Sequence, residues 1–400
     1  MLRRLTLTAL CFAAAACQNY TFDPVKPLAI AQTTQSKTVI AKQNKPNVVL
    51  LIDQSGSMRV PINPGDGACP AGCGVGANPN CPGGCRTRIS DLKSAMDTFL
   101  MTSSDIARYG MAKYPLDNQC LGTTGIDVVL PPEGDETSAT LTDSAQKIRA
   151  KIAAISPSGG TPTGASIKFV GGPTGGFPEV KAPENKRDNF VLLLTDGLPN
   201  CNEQNINSCA NLAVCKCTLG VCAMGTPDTC RSGCLDKDGV LTEIGALRNR
   251  GIRTIVVGFG SDTATGPAAE VLDAMADQGG FARACPNGTD AECGTGNTCN
   301  PTSKLCAVKY YQAGDAASLS AALDAIVNAI KVNPCEYSLE SQPSDPQFVS
   351  VRINDVVRPR GTDWDLTAGK VVLKGDACDI VKTSTVTKPA RVEVRVVESL

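Results

Sequence analysis

An α/β domain wound on both faces of a parallel sheet, followed by a small all-β module, is the fold class this sequence predicts. Three observations carry the prediction. Residues 48–52, 190–194 and 252–258 are nearly continuous apolar runs rich in β-branched residues, as strands covered on both faces have. Between such runs, apolar residues recur at helical spacing, and a helix is the usual link between parallel strands. After Pro334 the period changes: Val349, Val351 and Ile353 alternate with Ser350, Arg352 and Asn354, and Val392, Val394 and Val396 alternate with Glu393 and Arg395, the pattern of half-buried strands.

Met1-Leu2-Arg3-Arg4, the short apolar stretch over residues 5–16 and the small residues before Cys17 have the make-up of an export signal covering residues 1–16. It is too short to span a membrane as a stable helix. Ala14-Ala15-Ala16-Cys17 resembles a bacterial lipoprotein cleavage box, with Cys17 as the lipidated first residue. A plain signal-peptidase site is the alternative. Gln18, rather than Asp, favours sorting to the outer membrane, facing the periplasm or the exterior. Residues 17–45, rich in Gln, Thr, Lys and Pro, show no apolar period and read as a flexible, unpacked tether.

The α/β domain is expected over residues 46–332, with cysteine-rich inserts at 59–86, 200–234 and 281–306. After the strand at 48–52 and the first insert, which holds Cys69, Cys73, Cys81 and Cys85, Ile89, Leu92, Met96, Phe99 and Leu100 mark a helix starting at Ser90-Asp91. Residues 109–114 and 126–130 read as a hairpin around Cys120. Ala145, Ile148, Ile152 and Ile155 mark the next helix. The second insert carries seven cysteines, and disulfides suit an exported chain better there than a zinc cluster. Helices are expected over residues 240–250, 267–278 and 315–331, and a last strand at 309–312. The third insert reads as a knot of two disulfides. Cys335 and Cys378 are the only cysteines of the module at 333–400, so they are paired to staple it. Without Cys11 and Cys17 eighteen cysteines remain, and Cys120 is assigned to the odd one of the second insert, at Cys201.

Three stretches carry chemistry. Asp53-Gln54-Ser55-Gly56-Ser57 ends the first strand, Gly159-Gly160-Thr161 forms a loop before a helix, and Thr195-Asp196-Gly197 ends a second strand. Hydroxyls and carboxylates gathered at strand ends are hard oxygen donors suited to a hard divalent cation. In this order the three motifs resemble the metal-ion-dependent adhesion site of von Willebrand factor A domains, whose fold is Rossmann-like. The resemblance implies Ser55, Ser57 and Thr161 as hydroxyl ligands, Asp53 and Asp196 binding directly or through water, and an open position filled by an Asp or Glu carboxylate of a protein partner. Few carboxylates beside several hydroxyls suit Mg²⁺ or Mn²⁺ better than Ca²⁺. Met58-Arg59-Val60 replaces the adjacent acidic site of integrin β subunits, so a single metal is expected.

The 400-residue chain balances 38 Lys and Arg against 39 Asp and Glu, which offers nothing to a polyanion and argues against nucleic acid. It has no histidine, which removes the Ser-His-Asp triad and all His-ligated metals. Twenty cysteines place it in an oxidising compartment. The expected function is therefore a surface-anchored, metal-dependent binding or adhesion module rather than an enzyme, touching the membrane only through its lipid. A hydrolase, with Ser55 as nucleophile, and a scaffold with a purely structural metal are the alternatives. Because strand-to-helix connections of such a sheet share the carboxyl edge, Cys120 and the first two inserts are expected around the metal, and the third insert at the opposite edge.

Overall fold

The computed structural model describes residues 34–39, 41–42, 45–62, 85–133, 135, 137–181, 187–219, 222, 230–330, 335–339, 343, 345–367, 369–382 and 390–399. The signal segment, Cys17, and Cys69, Cys73 and Cys81 of the first insert lie outside them. The chain divides into an α/β unit over Asn44–Asn333 and a second unit built from the two ends of the sequence.

In the α/β unit β1 (Asn47–Asp53), β2 (Arg108–Tyr114), β3 (Asn189–Thr195), β4 (Ile252–Phe259) and β5 (Tyr311–Ala313) run parallel in the order β2-β1-β3-β4-β5. The connecting helices are α1 (Arg88–Thr102), α2 (Ser138–Ala153), α3 (Thr163–Gly171), α4 (Lys237–Arg248), α5 (Gly266–Gln278) and α6 (Ala316–Ile330). The apolar run of β1 serves two cores. Val48, Leu50 and Ile52 pack with Leu92 and Met96 of α1, Ile148 of α2 and Leu323 of α6. Val49 and Leu51 pack on the other face with Ile167 of α3, Ile244 of α4 and Leu272 of α5. Every residue of β1 is buried, as the lack of polar alternation requires.

Several boundaries move. Helix α1 begins at Arg88, ahead of the Ser90 start expected from apolar spacing, because Thr87 and Ser90 form a reciprocal capping box that satisfies two backbone donors. The hairpin expected around Cys120 is reduced to a single antiparallel bridge, Met111 to Val128, since residues 126–130 leave β2 after one rung. The third insert holds Cys285–Cys299 and Cys293–Cys306. It lies at the amino edge of the sheet, where Phe281 meets Phe190 edge-on at 5.5 Å and Arg253 lies 4.4 Å above the Phe190 ring.

The second unit is a pair of four-stranded antiparallel sheets. One joins Thr34–Val39, Val392–Ser399, Val349–Ile353 and Val356–Arg358. The other joins Trp364–Thr367, Lys370–Leu373, Glu336–Leu339 and Ala41–Lys42. Val351, Ile353, Trp364, Val371 and Val394 form its core, and the Trp364 indole N–H donates to the Arg358 carbonyl at 2.8 Å. Two expectations are corrected here. Part of the presumed tether is strand, since residues 34–39 pair with Val392–Ser399 from Thr34↔Ser399 to Val39↔Val394. A polar stretch can occupy a sheet edge because the ladder is made by backbone groups, and an uncovered edge invites pairing. The module is also not purely β: Gly375–Lys382 is a helix carrying Cys378, which is bonded to Cys335.

Candidate metal centre

Strands β1 and β3 are neighbours, and between them the chain's winding reverses: it passes from β1 to β2 on one side, then returns to β3 on the other. A crevice at the carboxyl edge follows from that reversal. Asp53 ends β1 and Asp196 follows β3, both buried. The Ser55 backbone N–H donates to Asp53 Oδ1 at 2.8 Å and the Thr195 hydroxyl donates to Asp53 Oδ2 at 2.7 Å. Ser55 Oγ and Ser57 Oγ are 3.0 Å apart, and the Ser57 hydroxyl donates to Asp196 Oδ1 at 2.9 Å. Four of the five candidate ligands are thus linked through hydrogen bonds.

Thr161 comes from the loop entering α3. The Gly56 N–H donates to the Gly159 carbonyl at 2.9 Å, which holds this loop against the serines. Asn200 fixes Thr161 itself, accepting its backbone N–H at 2.7 Å on Oδ1 while the Asn200 N–H donates back to the Thr161 carbonyl at 2.9 Å. Behind Gly160 lies the Cys120–Cys201 disulfide. A Cβ on Gly160 would stand 2.4 Å from Cys201 Sγ and 2.9 Å from Asn200 Oδ1. Gly160→Ala is therefore expected to cost about 1–3 kcal/mol in stability and to weaken divalent-cation binding, both readable by thermal denaturation with and without Mg²⁺.

Ser57, Thr161 and Asp196 line an open cavity of about 530 Å³, with Asp53 and Ser55 joined to them through the hydrogen bonds above. Cys217, Thr218 and Leu219 of the second insert form part of its wall, as do Asp262 and Pro267. Apolar periodicity gave no hint of Arg88, the first residue of α1. Its guanidinium donates to Asp196 Oδ2 at 2.8 Å and to Asp262 Oδ2, with only 6% of the side chain exposed. Gly260 makes room for it, because a Cβ there would lie 2.9 Å from Arg88 Nε. The capping motif at Thr87 was the available signal, since it sets where the helix starts and so which side chain faces the crevice.

Burial first, and the nearby Asp196 charge second, push the Asp53 carboxyl up to about 7. Burial also raises Asp196, against the opposing pull of Arg88. Burial works against the Arg88 charge, but Asp196 and Asp262 together outweigh it and hold the guanidinium above its ordinary range. Of the two buried carboxylates only Asp196 is paired with the buried Arg88 guanidinium, whose other partner is the exposed Asp262. Asp53 is held by the Ser55 N–H and the Thr195 hydroxyl alone among the described residues, an imbalance that a divalent cation would correct. The donors are all oxygens, and carboxylates are outnumbered by hydroxyls, so the residues present fit a hard cation held by Asp53, Ser55, Ser57, Thr161 and Asp196.

No protein-family model and no curated protein sequence matches this chain. Among solved structures it is similar to the pilus adhesin SpaC of Lactobacillus rhamnosus GG, at 13% identity and a TM-score of 0.42 over 91% of this chain and 43% of that one. It is similar to the PilB minor pilin of Streptococcus sanguinis, at 15% identity and a TM-score of 0.42 over 73% and 62%. Proximal thread matrix protein 1 of the mussel byssus, with a zinc-occupied MIDAS motif, is similar at 12% identity and a TM-score of 0.34 over 74% and 50%. The chain thus spans less than two thirds of each of these proteins. Among the described residues no helix is long and apolar enough to cross a membrane.

Proposed function

We propose that this chain is an exported, envelope-anchored binding module in which Asp53, Ser55, Ser57, Thr161 and Asp196 hold one Mg²⁺ or Mn²⁺, and an Asp or Glu carboxylate of a protein partner enters the adjoining cavity. The observation that carries the reading is the convergence of two buried carboxylates and the hydroxyls of Ser55, Ser57 and Thr161, from three separate segments, beside a cavity of about 530 Å³. When bound, the cation supplies a positive centre for an anionic group. The Ser57 hydroxyl holds Asp196 Oδ1, the Arg88 guanidinium holds Oδ2, and Asn200 fixes the Thr161 backbone. The cavity wall contributed by the second insert restricts which carboxylates can enter. Attachment through a lipid on Cys17 completes the proposal, with the membrane touched only by that anchor.

The test is retention of an envelope protein by the immobilised full chain in Mg²⁺, with EDTA and with Asp53→Ala as parallel arms. Capture lost in both arms, and restored to the wild type when Mg²⁺ is returned, is the expected result. Capture that is indifferent to EDTA would reject a metal-dependent contact. Hydrolysis of a generic ester that requires the metal and disappears in Ser55→Ala would instead favour an enzyme.

A further inference from the structure

The sulfurs of Cys215, Cys217 and Cys222 lie within 4.8 Å of one another, with 4.0 Å between Cys215 and Cys217. Cys215 is already bonded to Cys234, so a three-thiolate metal site is not on offer. Cys217, exposed, and Cys222, half-buried, are the free thiols among the described residues. The rest of the described second insert is paired: Cys201 with Cys120, Cys209 with Cys230, and Cys215 with Cys234. Two adjacent thiols in a chain of this cysteine density have a common fate where disulfides form.

We propose that Cys217 and Cys222 close a disulfide that acts as a redox-sensitive clasp on the cavity wall. Cys217, Thr218 and Leu219 line the cavity, and the last two of these lie between the two cysteines in the sequence. The neighbouring Thr218 hydroxyl accepts from Asn200 Nδ2 at 3.1 Å, and Asn200 in turn holds Thr161. Closing the ring therefore fixes a segment hydrogen-bonded to the loop that presents a candidate ligand. The chemistry balances as thiol–disulfide exchange with a small or protein disulfide as acceptor. The exposed Cys217, as thiolate, attacks the acceptor disulfide and releases its first thiol. Cys222 then gives up its proton and attacks Cys217 Sγ, releasing the second. Burial, together with Cys217 beside it, pushes the Cys222 thiol up to about 11, so Cys217 is the residue that attacks first. The ring is short and one of its sulfurs is exposed, so it restrains the unfolded chain least and should open before the six bonds seen among the described residues.

The experiment is peptide mapping of the full chain after equilibration with oxidised glutathione, followed by graded dithiothreitol with differential alkylation. A Cys217–Cys222 peptide that opens first is expected. Both cysteines alkylated without reductant, a Cys215–Cys217 link, or a bond that survives until global unfolding would each overturn the proposal. Hydrogen exchange tests the clasp itself: Cys217→Ser with Cys222→Ser should exchange faster over residues 217–219 than the oxidised wild type, and equal rates would refute the role. The consequence for partner entry rests on the function proposed above, but the mapping does not. A linked pair in a chain that binds no cation would sink that function and leave the clasp standing.

Discussion

Metal-free protein should lose stability as the pH rises from about 4 to about 7, and Mg²⁺ should restore it. The sign follows from Asp53. Its folded carboxyl sits at about 7, above the roughly 3.9 of an unfolded Asp, so the folded state favours the protonated form. The contribution is fully present below the unfolded value and is lost as the pH climbs through the folded one, on the order of 4 kcal/mol in total. Asp53→Asn should flatten this slope and leave only the smaller part due to Asp196, whose carboxyl burial also raises. Cation binding to the ionised site stabilises only the native state, by about 2.7 kcal/mol at a hundredfold excess over Kd. Melting curves at pH 5 and pH 7.5, with Mg²⁺ and with EDTA, should therefore show a Mg²⁺-dependent rise at pH 7.5 that shrinks at pH 5. The rise should be absent from Asp53→Ala and Asp196→Ala. Equal rises in wild type and both variants would remove the site.

The second large effect belongs to the Cys120–Cys201 bridge, which closes a sequence separation of 81. Constraining a loop of that length in the unfolded chain contributes up to about 4 kcal/mol on the entropic account. The bond also stands directly behind the Thr161 loop, where the Gly160 N–H donates to the Gln119 carbonyl at 2.6 Å. Replacing both cysteines by serine should lower the urea midpoint and also weaken Mg²⁺ binding, since Asn200 and Cys201 adjoin in sequence and hold the same loop. A stability loss below about 1 kcal/mol with unchanged Mg²⁺ affinity would show that packing alone positions Thr161.

The main elements of the α/β unit were legible because each is written locally. A strand such as β1, buried on both faces, must be apolar throughout, and helices that cover a sheet must show a stripe, as Leu319, Leu323, Ile326 and Ile330 do in α6. The candidate ligands were legible for the same reason, since Asp53, Ser55 and Ser57 form one short motif and Asp196 repeats the strand-then-acid pattern. What the tertiary structure alone decided is which strands are neighbours, and with it everything that depends on distance. Only the order β2-β1-β3-β4-β5 sets Asp53 beside Thr195 and puts the winding reversal at the site. Only packing brings Arg88 within 2.8 Å of a carboxylate 108 positions away, since a buried ion pair leaves no periodic trace in sequence. The strand at Thr34–Val39 was hidden for a related reason: its place is fixed by backbone hydrogen bonds to Val392–Ser399 at the far end of the chain, and backbone groups are the same in every residue but proline.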